Sequence, residues 1–350
     1  MLQINKLTLT HRKDLRVILE DFSLVLNDGD KAVIIGEEGN GKSTLMKWIY
    51  EPSMIEDYIE PSGERVLGNE KLAYLPQELP IEDRSKSLYE FFTEDEGFWN
   101  QTPKDLSKLA NSFRVPADFF YSEQLLATLS GGEKVKAQLM RILMQEPTVL
   151  LLDEPSNDID IATLELLENL INSWEKIVLF ISHDETLIEN TANMVIHIEQ
   201  ISRKTKSRYT VAKLPYKRYV EERLRAFKYQ EQQALNDLRQ KKLRDEKFMK
   251  IQQNVYNALD ACSRQSPAEA KNLKDKMHTI KAMGKRFEKE DEEMTQMPQQ
   301  EEAIFFKLGN PDNAIPNGKT VIEYELGELQ TPDGSKQLAK DIFLRIRGSQ

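Results

Sequence analysis

The stretch "KAVIIGEEGNGKSTLMKWIY", Lys31 to Tyr50, constrains this chain more than any other. It reads as a short apolar strand, a glycine-rich turn and a run of helix formers. Inside it "GEEGNGKST", Gly36 to Thr44, has the spacing G-x-x-x-x-G-K-[ST]. Glycines at that spacing let backbone N–H groups close around phosphate oxygens. A lysine ammonium then reaches the outer phosphates, and a hydroxyl joins a magnesium shell. Gly36, Gly39, Asn40, Gly41, Lys42, Ser43 and Thr44 are therefore the candidate nucleotide-binding residues. Glu37 and Glu38 interrupt the loop and are expected to face solvent, since acids aimed at a triphosphate repel it.

The sequence around the loop supplies a matching scaffold. "LQINKLTLT" and "RVILEDFSLVL" alternate as strands before it. After it, "TVLLLDEP", "KIVLFISH" and "NMVIHIE" are short continuous apolar runs, with the helical pattern "IATLELLENLINSW" between the first two. Continuous apolar strands alternating with helices predict an α/β fold with a mostly parallel sheet covered on both faces. The N-terminal strands are expected to be antiparallel, and residues from about 80 to 145 to form a helical subdomain with aromatic pieces such as "YEFF" and "DFFY".

Three segments place polar chemistry at strand ends. Asp153 and Glu154 close the strand "TVLLLDEP"; Asp153 suits the Mg²⁺ shell and Glu154 the general base that activates a water. Gln77, in "AYLPQELP", is a candidate metal and water contact, and Ser43, Gln77 and Asp153 make the magnesium set. His183, in "LFISHDE", is placed to hydrogen-bond a γ-phosphate. A second anion grip stands at "LSGGEKVKAQL", where Ser130, Gly131, Gly132 and Glu133 open a helix.

The net charge of −10 argues against a general nucleic-acid binder, yet the charge is uneven. Between Arg239 and Arg286 thirteen Lys and Arg stand against five Asp and Glu. That segment lies in two Gly- and Pro-poor helical runs after Pro215, broken near residues 261–267, which predicts a long basic αα-hairpin. A lone Cys262 leaves no internal disulfide and no cysteine-based metal site. No apolar run approaches the ~20 residues of a membrane span, and the N-terminus carries no signal-peptide core, so a cytoplasmic location is expected. Strand patterns return in "AIFFKL", "TVIEYELGEL" and "IFLRIR". "DIFLRIRGSQ", Asp341–Gln350, repeats the order of "DFSLVLNDGD", Asp21–Asp30: an Asp, an apolar-rich strand, a polar turn. In the first copy the phosphate loop follows; the second reads as a repeat that stops just before its own.

The order of these motifs resembles the nucleotide-binding domain of the ATP-binding-cassette (ABC) superfamily, with its P-loop NTPase fold. "LDEPSNDID" and the helical linker behind the His motif are similar to the ABC-F branch, whose tandem cassettes act on ribosomes. The resemblance implies a first cassette over 1–213, a linker hairpin over 214–300 and the first strands of a second cassette over 301–350. It implies ATP and Mg²⁺ as ligands, and hydrolysis of ATP to ADP and phosphate with Glu154, His183 and Gln77 as catalytic residues. It also implies why there are two anion grips. Cassettes pack head to tail, so Ser130 to Glu133 hold an ATP seated on a second cassette, of the same chain or of a homodimer partner. Asp160, ending "SNDID", falls in the segment expected to cross that interface. The implied partner of the linker is the ribosome, its rRNA and tRNA, reached with "NALDACSRQSPAEAK" at the tip, in translation or antibiotic target protection. The short stretch between Gln77 and Ser130 leaves little room for the arm that some members insert there. Members often stack an aromatic on adenine ahead of the phosphate loop; here "LTHRKDL" offers His11 or Arg12 instead. The ATPase subunit of a membrane transporter shares every cassette motif, but it does not predict a basic hairpin followed by further strands.

Overall fold

The computed structural model describes residues 1–201, 206–261, 267–292, 294, 295, 297, 320–330 and 337–347. Cys262, the strand pattern "AIFFKL" and the centre of the hairpin tip lie outside the described residues. Two compact units divide the chain, Met1–Glu301 and Glu302–Gln350.

The first unit follows the hydrophobic pattern closely. Strands β1 (Leu2–His11) and β2 (Val17–Leu26) pair antiparallel, as their alternation requires. Strand β3 (Lys31–Ile35) runs into the glycine loop and helix α1 (Lys42–Tyr50). Strand β4 (Ile59–Val66) returns antiparallel along β1, and β5 (Leu72–Leu75) opens the second sheet. Helices α2 (Leu88–Thr93), α3 (Glu96–Trp99), α4 (Pro103–Ser112) and α5 (Gly131–Met144) make the helical subdomain, where Phe92 meets Phe120 edge-on at 4.9 Å. Then come β6 (Val149–Asp153), α6 (Ile161–Ser173), β7 (Ile177–Ile181), α7 (Glu185–Thr191), β8 (Met194–Ile201) and β9 (Lys206–Ala212).

The main sheet has the order β5-β6-β7-β3-β8-β9. The first five strands are parallel, and β9 closes the edge antiparallel to β8. β6 and β7 are buried at every position, so both faces of the sheet are covered. Because the strands are parallel, the loops that leave β3, β5, β6 and β7 emerge on one edge, where open α/β sheets bind ligands. Those loops carry Lys42, Gln77, Glu154 and His183.

β8 is the exception to an apolar core, since His197 and Glu199 are both fully buried. Arg208 from β9 clamps the Glu199 carboxylate with two bonds of 2.9 Å. Arg223 binds it from the first turns of α8 (Tyr216–Asp260), and Tyr219 of α8 meets His197 Nδ1 at 2.9 Å. A buried charge is stable only when paired and hydrogen-bonded. The network therefore pins the root of α8 to the sheet.

α8 spans 45 residues, about 68 Å of helix. α9 (Pro267–Glu292) folds back along its distal part. Phe248 packs edge-on against Phe287 at 5.4 Å, Arg244 lies over Phe287, and Arg244 and Lys241 both bind Asp291. The hairpin thus consumes part of its positive charge internally. Lys242, Lys247, Lys250, Lys274, Lys281 and Lys285 stay exposed.

The second unit contributes an antiparallel pair, β10 (Thr320–Gln330) and β11 (Gln337–Arg347). Asp21 in β2 and Asp341 in β11 head the two similar segments and have φ of 50° and 51°. A left-handed φ inside a strand is uncommon for a residue with a side chain. The two segments therefore share a backbone irregularity as well as a sequence pattern.

Candidate active site

A cleft of about 500 Å³ opens beside the phosphate loop. That is the range of small-molecule sites. Glu38, Gly39, Gly41, Lys42, Ser43 and Thr44 form one wall, with Gln77 and Glu154 beside them. Lys42 is almost buried, and its ammonium donates to the carbonyls of Gly36 at 2.8 Å and Glu37 at 3.1 Å. Those bonds hold the cation at the mouth of the loop, aimed at incoming phosphate. Gly36 has φ +146°, and a Cβ there would sit 2.1 Å from the Ile198 carbonyl oxygen, so only glycine fits. Asn40 is buried and donates to the same carbonyl at 3.1 Å, which fastens the loop to β8. Glu37 is half-buried; Glu38 is exposed, but it lines the cleft, so the expectation that both acids point away holds only in part.

The strand-end acids divide their tasks. Asp153 is buried, accepts from Ser43 Oγ at 3.0 Å and from the Tyr74 hydroxyl at 3.0 Å. Burial pushes its carboxyl above the usual carboxylate range, while Ser43 and Tyr74 pull the other way. The Ser43 hydroxyl and the Asp153 carboxylate meet here; Ser43 and Gln77 line the cleft, and Asp153 sits behind Ser43 without lining it. Such hard oxygen donors fit Mg²⁺, which takes one or two protein ligands and fills its shell with water and phosphate. Among the described residues no group of three or more His, Cys, Asp or Glu could hold a metal.

Glu154 takes up φ +50°, a left-handed conformation that turns its side chain off the strand. Gln77 Nε2 donates to it at 3.0 Å and Asn157 Nδ2 at 2.6 Å, and His183 Nε2 lies 3.6 Å from its other oxygen. The three sequence-predicted catalytic residues therefore meet. Asn157 and Tyr74, which the sequence did not single out, complete their surroundings.

The second grip lies elsewhere, since none of Ser130, Gly131, Gly132 and Glu133 lines the cleft. Ser130 caps α5 in a reciprocal box with Glu133, whose carboxyl the Ser130 hydroxyl holds below its ordinary value. The glycines answer to packing inside the chain. A Cβ on Gly131 would stand 2.0 Å from the Asp158 carbonyl oxygen, and one on Gly132 2.8 Å from Thr163 Oγ1. The "SNDID" turn thus packs directly on the start of α5, and Asp160 caps α6 through the Thr163 N–H at 2.8 Å. The far wall of the cleft is His11, Arg16, Ile18, Tyr58 and Ile59. His11 is where the sequence suggested; Arg12 instead donates to the Ile59 carbonyl at 3.3 Å and Arg16 takes its place.

Known proteins similar to this chain are of one kind. The family profile described as ABC transporter matches residues 19–157. The ATP-binding protein Uup of Buchnera aphidicola (subsp. Acyrthosiphon pisum) is 33% identical over 180 residues, 51% of this chain and 29% of that protein. The ABC transporter F family member 5 of Arabidopsis thaliana is 31% identical over 187 residues, 53% of this chain and 26% of that protein. The chain thus matches less than a third of the length of these relatives. A solved ATP-binding subunit of an ABC transporter is 21% identical, with a TM-score of 0.47 over 56% of this chain and 85% of that one. Among the described residues no helix is long and apolar enough to cross a membrane. A phosphate loop on the central strand and acids at the end of β6 give the chain the P-loop fold of an ABC cassette, and residues 19–157 match the ABC transporter profile.

Proposed function

We propose that this protein is an ABC-F type ATPase of the cytoplasm, in which closure of two cassettes on ATP sets the position of the basic hairpin against the ribosome. The observation that carries the proposal is the pairing of a hydrolytic half-site with a hairpin rooted in the same sheet. Lys42 and the loop N–H groups would hold the triphosphate, and Ser43, Asp153 and Gln77 would hold Mg²⁺, which would supply charge neutralisation at the phosphates. A water attacks the γ-phosphorus, its proton passes to Glu154, and the bond to the ADP oxygen breaks. His183, beside Glu154, contacts the γ-phosphate. Ser130 to Glu133, which lie outside this cleft, would serve the ATP of a second cassette. The match of Asp21 and Asp341, in sequence and in φ, supports β10 and β11 as the opening of that second cassette. Kinship with an ABC transporter F family member supports the branch. The exposed lysines of the hairpin suit RNA phosphates, through contacts that weaken with salt.

Ribosome pelleting tests the reading. With Glu154→Gln holding ATP unhydrolysed, the protein is expected to sediment with ribosomes when ATP is present and to be released by raised salt. A protein that binds ATP yet stays in the supernatant at low salt overturns it.

A further inference from the structure

The phosphate loop carries two acids that the proposed hydrolysis does not need, Glu37 and Glu38. The fold treats them differently. Glu37 is half-buried, and its carbonyl accepts from the Lys42 ammonium at 3.1 Å. Glu38 is exposed and lines the nucleotide cleft beside Gly39, Gly41, Lys42 and Ser43. The backbone around it is fixed. Gly36 packs so closely on the Ile198 carbonyl that a Cβ would stand 2.1 Å from its oxygen, Asn40 Nδ2 donates to the same carbonyl at 3.1 Å, and the Asn40 N–H closes the turn on the Glu37 carbonyl at 3.3 Å. Among the described residues no ion pair engages the Glu38 carboxylate. At the phosphate end, the lining carries one cation, Lys42, against two carboxylates, Glu38 and Glu154; His11 and Arg16 stand on the far wall. Glu154 is held by the amides of Gln77 and Asn157 and serves as the base. Glu38 has neither restraint nor task, and it stands where anionic phosphate must enter.

We propose that Glu38 is a charge filter on the phosphate site: it repels the bare triphosphate and so makes the cassette select the Mg²⁺ complex of the nucleotide. This rests on the nucleotide reading of the cleft and adds which ionic form the site takes. Repulsion scales with the product of the charges, and Mg²⁺ cancels much of the charge on a triphosphate. The same carboxylate therefore penalises the bare nucleotide more than the complex. A like charge set against the wrong form of a ligand gives specificity without any added attraction for the right one. The effect is bounded by exposure, since water and salt screen Glu38. A unit charge pair about 4 Å apart in water is worth about fivefold in affinity, which sets the scale.

The test is equilibrium binding of ribose-labelled fluorescent ATP to wild type, Glu38→Gln and Glu38→Asp, each with Mg²⁺ and with EDTA, at low and at raised salt. Glu38 is exposed, so neither substitution is expected to disturb the fold. Glu38→Gln is expected to bind bare ATP about five- to tenfold more tightly than wild type, and the Mg²⁺ complex within about twofold of it, so its preference for the complex falls. Glu38→Asp keeps the charge and with it the wild-type preference. Raised salt narrows the gap between wild type and Glu38→Gln. Equal affinities of wild type and Glu38→Gln for bare ATP overturn the proposal, and so does an equal gain with and without Mg²⁺. Glu38→Asp behaving as Glu38→Gln assigns the effect to side-chain length and overturns it too. Weaker binding of the Mg²⁺ complex by Glu38→Gln makes Glu38 an attractive contact to the cation and refutes the filter. No binding of ATP by any of the three proteins in either condition refutes the nucleotide reading itself.

Discussion

Glu199→Ala tests how the hairpin is anchored. The carboxylate is fully buried and accepts from Arg208 of β9 and Arg223 of α8. Removing one partner of a buried ion pair costs about 3–5 kcal/mol when the other is left buried and uncompensated. The two arginines differ in what they face afterwards. The Arg208 side chain is 50% exposed and regains water, whereas Arg223 is 20% exposed and is stranded beside Tyr219. The loss expected is therefore about 2–4 kcal/mol, below the fully buried limit. For a unit of this size that lowers the melting temperature by roughly 3–6 °C. Urea unfolding followed by circular dichroism gives the free energy, and hydrogen exchange over the first turns of α8 gives its location. Arg208→Ala is expected to cost less than Arg223→Ala. A Glu199→Ala loss under about 0.5 kcal/mol, the range of an ordinary surface change, refutes the reasoning. So does an Arg208→Ala loss as large as that of Glu199→Ala.

Three further outcomes follow from the same structure. Burial holds the Asp153 carboxyl above its ordinary value, so the proton there stabilises the metal-free fold below the ordinary carboxylate range, and this contribution is lost as pH rises through the raised value. Tyr74→Phe removes a donor to the charged form and is expected to shift that loss to higher pH, read as the pH dependence of melting without Mg²⁺; an unchanged profile contradicts it. Gly131→Ala drives a Cβ to 2.0 Å from the Asp158 carbonyl oxygen, and its expected cost of about 1–3 kcal/mol in urea unfolding exceeds that of Gly132→Ala, which meets a side chain. Arg65 spans the Trp48, Ile49 and Tyr50 carbonyls at the end of α1, so Arg65→Ala is expected to lose about 1 kcal/mol, with faster amide exchange in the last turn of that helix.

What the sequence revealed and what it hid divide along contact range. The phosphate loop, α5 from Gly131 to Met144 and β6 with Asp153 are local patterns, and each stands where periodicity placed it. Their convergence on one edge follows from a parallel sheet. The far wall of the cleft was not legible, because Tyr58 and Ile59 reach His11 only through the antiparallel pairing of β4 with β1. Tyr74 was hidden for a similar reason: β5 pairs with β6, and only that register brings the phenol to Asp153. The edge strand β5, only four residues long, carries too little pattern to announce itself. Glu199 reads as a strand residue like any other until Arg208 and Arg223 arrive from two later elements. The glycines of "LSGGE" read as close backbone approach to a ligand; what the sequence hid is that an added Cβ there would also meet Asp158 or Thr163 of the same chain.

Phosphate release from ATP, measured over a wide range of chain concentrations for wild type and Glu154→Gln, tests whether a second cassette completes the hydrolytic half-site. The rate per chain is expected to rise with concentration for wild type, with ATP binding but no turnover for Glu154→Gln. A rate per chain that does not depend on concentration in a monomer, or turnover by Glu154→Gln equal to wild type, contradicts it.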